Sequence, residues 1–158
     1  MTRRAFATLL AGPALAGLLL SGCGSQTSST AGGGASSTDP NSSVPSTTLG
    51  LVSQTGGGGQ VSPVAIPLGT DAQVAAFVSQ FRAPAMANKV RHVLATADVP
   101  SGSKVVGAVV AVGCDVPPGV DVTHGTTQVQ VIAQEVASPL PECLAPVTTV
   151  AIVAVPAS

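Results

Sequence analysis

Apolar residues recur at two different periods along the second half of the chain, and the change of period marks a passage from helix to strand. Val74, Phe77, Val78 and Phe81 fall at i, i+3, i+4 and i+7, with Thr70 or Asp71 placed to cap the first turn. Pro84 suits the opening turn of a second helix, in which Met86, Val90, Val93, Leu94 and Ala97 repeat the stripe. After the turn signal Pro100-Ser101-Gly102 the period becomes two. Lys104–Gly113 and Val147–Val155 are apolar on both faces, which predicts central strands. Thr127–Val136 places Val129, Val131 and Ala133 on one side and Gln128, Gln130 and Gln134 on the other, which predicts a half-exposed strand. Val61–Leu68 reads as extended chain that Pro63 and Pro67 confine to an edge. Pro117-Pro118-Gly119 and 139–146 are the expected connecting loops. The pattern predicts an α+β class: a small domain over 61–158 with two amphipathic helices packed on a mainly antiparallel sheet of about three to four strands.

Residues 24–60 show neither period. Ser, Thr, Gly and Pro dominate, Asp39 is the single charge, and Gly56–Gly59 is an unbroken glycine run. Such composition buries too little apolar surface to offset the entropy of ordering it, so 23–60 is expected to be a disordered tether spanning roughly 35 Å on average. A protease-resistant fragment would then begin near Val61. The glycine run lacks the Lys-Ser/Thr of a phosphate-binding loop.

Upstream of the tether stands a third pattern. Arg3-Arg4 precedes an uncharged apolar run, Ala5–Leu20, which ends in Leu20-Ser21-Gly22-Cys23. The run is 16 residues long, shorter than the roughly 20 that a permanent membrane helix needs, and its flanks are those of a secretory signal peptide over residues 1–22. Leu20–Cys23 resembles the lipobox of bacterial lipoproteins. The resemblance implies cleavage after Gly22, acylation of Cys23, and a location on the extracytoplasmic side of the cell membrane, anchored by lipid on Cys23. Two or three acyl chains, at about 0.8 kcal/mol per buried methylene, hold a protein on a bilayer where one would not.

With Cys23 taken up by lipid, Cys114 and Cys143 remain as an even pair in an oxidising compartment, and a structural disulfide between them is expected. It would tie the end of the first central strand to the entry of the last. A metal site is disfavoured, because no CxxC occurs and His92 and His124 lack ligand spacing to either cysteine.

Once Arg3 and Arg4 leave with the signal, four basic residues face seven acidic ones, a net charge of −3. That balance excludes a nucleic-acid footprint, and the chain has no Trp or Tyr on which bases or sugars could stack. His124 near Asp115 and Asp121, with Thr123, Thr126 and Thr127 beside it, could supply a base, an orienter and a hydroxyl. Sequence proximity does not assemble such a group, and a solvated histidine in a turn is the plainer reading. His92 falls with Asn88 and Arg91 on the polar side of the second helix. Asp115, Asp121, Glu135 and Glu142 lack the spacing of a cation-binding loop.

Two functional expectations follow. The first is a membrane-anchored lipoprotein whose domain is a non-enzymatic binding or scaffolding module at the cell envelope, without cofactor or metal. Its partners would be the membrane through Cys23 and an envelope protein or small apolar ligand. The alternative is a small wall-associated hydrolase using His124 and a nearby carboxylate.

Overall fold

The two doubly apolar runs become the two central strands. In the computed structural model, which describes residues 43–124 and 128–157, the elements in order are β1 (Thr47–Thr55), β2 (Ile66–Pro67), α1 (Asp71–Val78), α2 (Pro84–Thr96), β3 (Ser103–Gly113), β4 (Val120–His124), β5 (Val129–Ala133) and β6 (Val147–Pro156). The described residues lie in one unit, Ser37–Ser158. β3 and β6 pair antiparallel from Ser103↔Pro156 to Gly113↔Val147, with a bulge between Val109 and Ala111. β1 flanks β6 and β2 flanks β3, giving an antiparallel sheet in the order β1-β6-β3-β2. Residues 148–155 of β6 are all buried, because both faces of the sheet are covered. The class is α+β, as the pattern predicts, and Pro67 sits in an edge strand, where its missing N–H costs no ladder bond.

Helices cover one face. Thr70 caps α1 through a reciprocal pair: its Oγ1 accepts from the Gln73 N–H at 3.2 Å, and Gln73 Oε1 accepts from the Thr70 N–H at 3.1 Å. Pro84 opens α2 at its first turn. The inward stripe, Phe77, Val78, Met86 and Val90, packs with Leu68 on Val109, Val150 and Ile152. Phe77 and Phe81 meet edge to face at 5.5 Å, although Phe81 lies beyond the end of α1.

The opposite face carries a layer that the sequence pattern does not announce. β4 and β5 form a separate two-stranded hairpin, where Thr127–Val136 alone was expected to extend the single sheet. Val122 and Val131 point from it into a second core made of Val106, Val110, Ala151, Val153 and Val155. Ile132, one residue on from Val131, is exposed, which is the half-buried alternation expected for β5. The chain switches between the two sheets at both edges. Ser43 and Val44 pair with β4 before the strand continues into β1, and residues 63–65 bond to β5 before Ile66–Pro67 joins β3. The backbone ladder therefore runs around this second core.

The expected tether over 23–60 requires correction. Residues 24–42 lie outside the described residues, but Thr47–Thr55 is a full strand, paired with β6 from Thr47↔Ala154 to Thr55↔Val147. The glycine run is an ordered turn. Gly56, Gly58 and Gly59 have φ of 64°, 75° and 90°, where a Cβ is strained. The Gly57 carbonyl accepts from the Arg82 N–H at 2.9 Å, and the Gly58 carbonyl accepts from Thr148 Oγ1 at 2.9 Å, so the turn fastens the α1–α2 junction to β6. A Cβ on Gly58 would lie 3.0 Å from the Arg82 backbone nitrogen. Gly58→Val is therefore expected to destabilise the domain by about 2–4 kcal/mol, from strain at positive φ and the lost approach. Urea unfolding measures it; a loss below about 0.5 kcal/mol, the size of an ordinary surface change, would show that the turn is dispensable.

Candidate functional site

Two carboxylates of the anticipated acid–base group are engaged in holding loops. Asp121 Oδ1 accepts from Gln134 Nε2 at 3.0 Å, and Asp115 Oδ2 accepts from the Leu140 N–H at 2.9 Å. His124 ends β4 opposite Val129 and is exposed. It stands three residues from Asp121 on one strand, so the two side chains leave opposite faces. Thr123 Oγ1 is buried without a partner among the described residues, while Thr126 and Thr127 lie outside them. His124 and its neighbours are thus not brought together as a catalytic group among the described residues. His92 is exposed on α2 and contributes its carbonyl to the Thr96 hydroxyl at 2.8 Å. Asp115, Asp121, Glu135 and Glu142 do not converge: no cluster of three or more His, Cys, Asp or Glu forms among the described residues. Cys23 lies outside the described residues.

The disulfide forms as expected. Cys114 follows the last residue of β3 and Cys143 precedes β6, with their Cα atoms 5.3 Å apart. Around it the structure gathers a surface that periodicity could not reveal. Among the described residues eight large hydrophobic side chains are exposed, and four of them, Val112, Val116, Leu140 and Leu144, lie within three residues of this bridge. Leu144 is fully exposed. Two short bonds fix the loops that carry them: Asp115 to the Leu140 N–H, and the Gly56 N–H to the Pro146 carbonyl at 2.9 Å. Pro139, Pro141 and Pro146 further restrict the segment, since each fixes its own φ.

Asp115 and Glu142 adjoin the two bridged cysteines, and Arg82 lies against the neighbouring glycine turn, its N–H bonded to the Gly57 carbonyl. From Val105 to Ser158 the chain has no Lys or Arg, while Asp115, Asp121, Glu135 and Glu142 fall within it. The pole lies at the Thr55 end of β1, whereas Thr47 opens that strand at the other end of the sheet, roughly 26 Å away at about 3.3 Å per residue.

Two grooves also open on the surface of the described residues. One of about 410 Å³ runs between α1 and α2, with Val74 and Leu94 in its walls beside Asp71 and Arg91. The other, about 400 Å³, opens where residues 62–66 leave β3 to pair with β5, and it is lined by Val61, Val64, Ile66, Phe77 and Gln80 without a charged group. Both are within the size of small-ligand sites.

No protein-family model, curated protein or solved structure matches the chain. Among the described residues no helix is long and apolar enough to cross a membrane. The surface itself therefore carries the functional argument. Thr149 Oγ1 adds nothing to it: it is buried within β6 without a partner among the described residues.

Proposed function

We propose that this chain is a lipid-anchored envelope protein whose domain binds another protein through the pole around Cys114–Cys143. The observation that carries the reading is the fully exposed Leu144, with exposed Leu140 and Val116 on the same two bridged loops, which are held by a disulfide, two hydrogen bonds and three prolines. Exposed apolar side chains grouped on one patch mark interaction sites, whereas scattered ones do not. Preorganisation matters as much as area, because a loop fixed before binding loses little side-chain and backbone entropy on contact. The anchor is the acylated Cys23 that Leu20–Cys23 implies.

The test joins anchor and surface. Cys23→Ser should yield unacylated protein that no longer partitions with membranes, read by intact mass and fractionation. A photoreactive leucine analogue at position 144 should give one discrete protein adduct in intact envelopes, lost on Leu140→Asp and retained on His124→Ala. Wild-type protein without added lipid mass, or an adduct indifferent to Leu140→Asp, would sink the proposal.

A further inference from the structure

The bond between Leu144 and Ala145 has an arrangement that goes beyond a generic binding patch. Leu144 projects fully into solvent from a bend at Leu144–Ala145, immediately after a disulfide-bonded cysteine and before a small residue. The chain is fixed on both sides of that bond. On its N-terminal side Cys143 is covalently joined to Cys114 at the end of β3, and Leu140 is held by Asp115. On its C-terminal side the Pro146 carbonyl accepts from the Gly56 N–H, and Val147 enters β6 against Gly113 on one side and Thr55 on the other. Cutting the loop here would not release either end.

We infer that 142–146 is a protease-directed loop, with Leu144 as the side chain that enters the primary pocket of an endopeptidase selective for large apolar residues. The inference rests on the reading of this pole as the interaction surface and names the partner's class. An endopeptidase recognises an exposed, accessible segment through one side chain in a concave pocket, and a leucine suits an uncharged apolar one. Whether such a segment is a substrate or an inhibitor depends on what happens after attack. The protease nucleophile adds to the Leu144 carbonyl carbon and gives up its proton through the general base to the departing Ala145 nitrogen, so the C–N bond breaks and an acyl-enzyme forms. In a flexible peptide the new amine diffuses away and water takes its place. Here the Ala145 amine is kept beside the acyl group by Pro146–Gly56 and by β6, while Cys143–Cys114 keeps the acyl side on the same domain. The amine returns to the acyl carbon at high effective concentration, the proton goes back to the nucleophile, and the peptide bond is restored. No co-reactant is needed and no net bond is lost. Such complexes bind with little backbone change, which a loop already held on both sides satisfies.

The experiment uses the full mature chain extracted from membranes, with chymotrypsin and trypsin as probes and small chromogenic substrates as readout. Wild type should inhibit chymotrypsin with a Ki below about 1 µM and leave trypsin untouched, as expected for a standard-size protease–inhibitor contact. Leu144→Gly should weaken inhibition by about 100-fold, the loss of one central anchor, while Ile132→Gly, an exposed residue on the hairpin, should not change it. Leu144→Lys should move inhibition from chymotrypsin to trypsin, a gain that a purely structural role for Leu144 would not produce. Digestion at Leu144–Ala145 without inhibition, or a Leu144→Lys protein that fails to inhibit trypsin, would overturn the inference. An envelope adduct at position 144 to a protein that is not a peptidase would also overturn it, and would leave the binding reading standing.

Discussion

Replacing both Cys114 and Cys143 with serine is expected to lower the stability of the domain by about 3–4 kcal/mol, the chain-entropy value for a bridge closing a loop of this length. The sequence separation is 29 residues, and the loop so closed contains β4 and β5. Against a total of roughly 5–15 kcal/mol for a small domain the loss is large, and it corresponds to a midpoint about 15 °C lower. The substitution itself is mild. Cys114 is half-buried and Cys143 exposed, so neither serine hydroxyl is taken out of water and the change isolates the constraint. Urea unfolding of the double variant should match wild type unfolded in reductant, and both should fall short of the oxidised protein by the same amount. If variant and oxidised wild type agreed within about 0.5 kcal/mol, the bridge would be ornamental and the hairpin layer held by the packing of Val122 and Val131 and by the backbone bonds with Val44, Pro63 and Ala65. The same variant should lose inhibition of chymotrypsin, because the acyl side of Leu144–Ala145 would no longer be fastened to β3.

What the chain discloses of its own fold depends on how local the cause is. α1 is legible because Thr70, Gln73 and the Val74–Phe77–Val78 stripe act within one or two turns. α2 is legible because Pro84 and Met86–Val90 do the same. β3 and β6 stand out through length and uniform apolarity, which only a sheet covered on both faces requires. β1 is hidden, since Thr47–Thr55 mixes Leu49, Leu51 and Val52 with threonine, serine, glycine and glutamine and so resembles the low-complexity stretch before it. Its strand character comes from β6, nearly a hundred residues on, and non-local pairing leaves little local trace. β4 is hidden for a related reason: Val120 and Val122 are two apolar positions between a proline pair and a histidine, too few to establish alternation.

The site divides in the same way. The Cys114–Cys143 pairing follows from counting once the expected acylation of Cys23 is assumed, since two thiols then have one choice. The apolar pole does not follow from periodicity, since Val116, Leu140 and Leu144 belong to loops without a repeating pattern, and only the bridge and Asp115 bring their segments together. A signal was nonetheless present: three prolines, a cysteine and two leucines between Pro139 and Pro146 make a segment both restricted and apolar, which an ordinary solvated loop has no need to be. His124, Asp115 and Asp121 illustrate the opposite case. Closeness along a strand puts Asp121 and His124 on opposite faces, and Asp115 is drawn off to Leu140.

A chain beginning at Val61 should fail to fold, whereas one beginning at Ser43 should fold as a cooperative unit. The glycine-rich composition up to Gln60 invites a boundary at Val61, but that cut removes Val44 and all of β1. Val44 and Leu51 pack in the core under the hairpin, and Leu49 and Val52 in the core under the helices, so both layers lose contacts together. At about 1.5–3 kcal/mol for a fully buried side chain, Val44 and the partly buried Leu49, Leu51 and Val52 together contribute several kcal/mol, a large share of the roughly 5–15 kcal/mol of a small domain. The cut also uncovers the flank of β6, where Thr148–Val155 is buried without interruption and would become a long apolar edge open to pairing with other chains. The turn at Gly56–Gly59 goes with it, freeing the α1–α2 junction that Gly57 holds through the Arg82 N–H. Circular dichroism and urea titration of the two fragments should show a cooperative transition for 43–158 and aggregation or a non-cooperative profile for 61–158. Limited proteolysis of the whole chain should accordingly stop at a fragment that retains Thr47. A soluble 61–158 fragment unfolding cooperatively at the same urea concentration as the longer one would mean that β1 only decorates the sheet, and that the domain is built on β3, β6 and the helices alone.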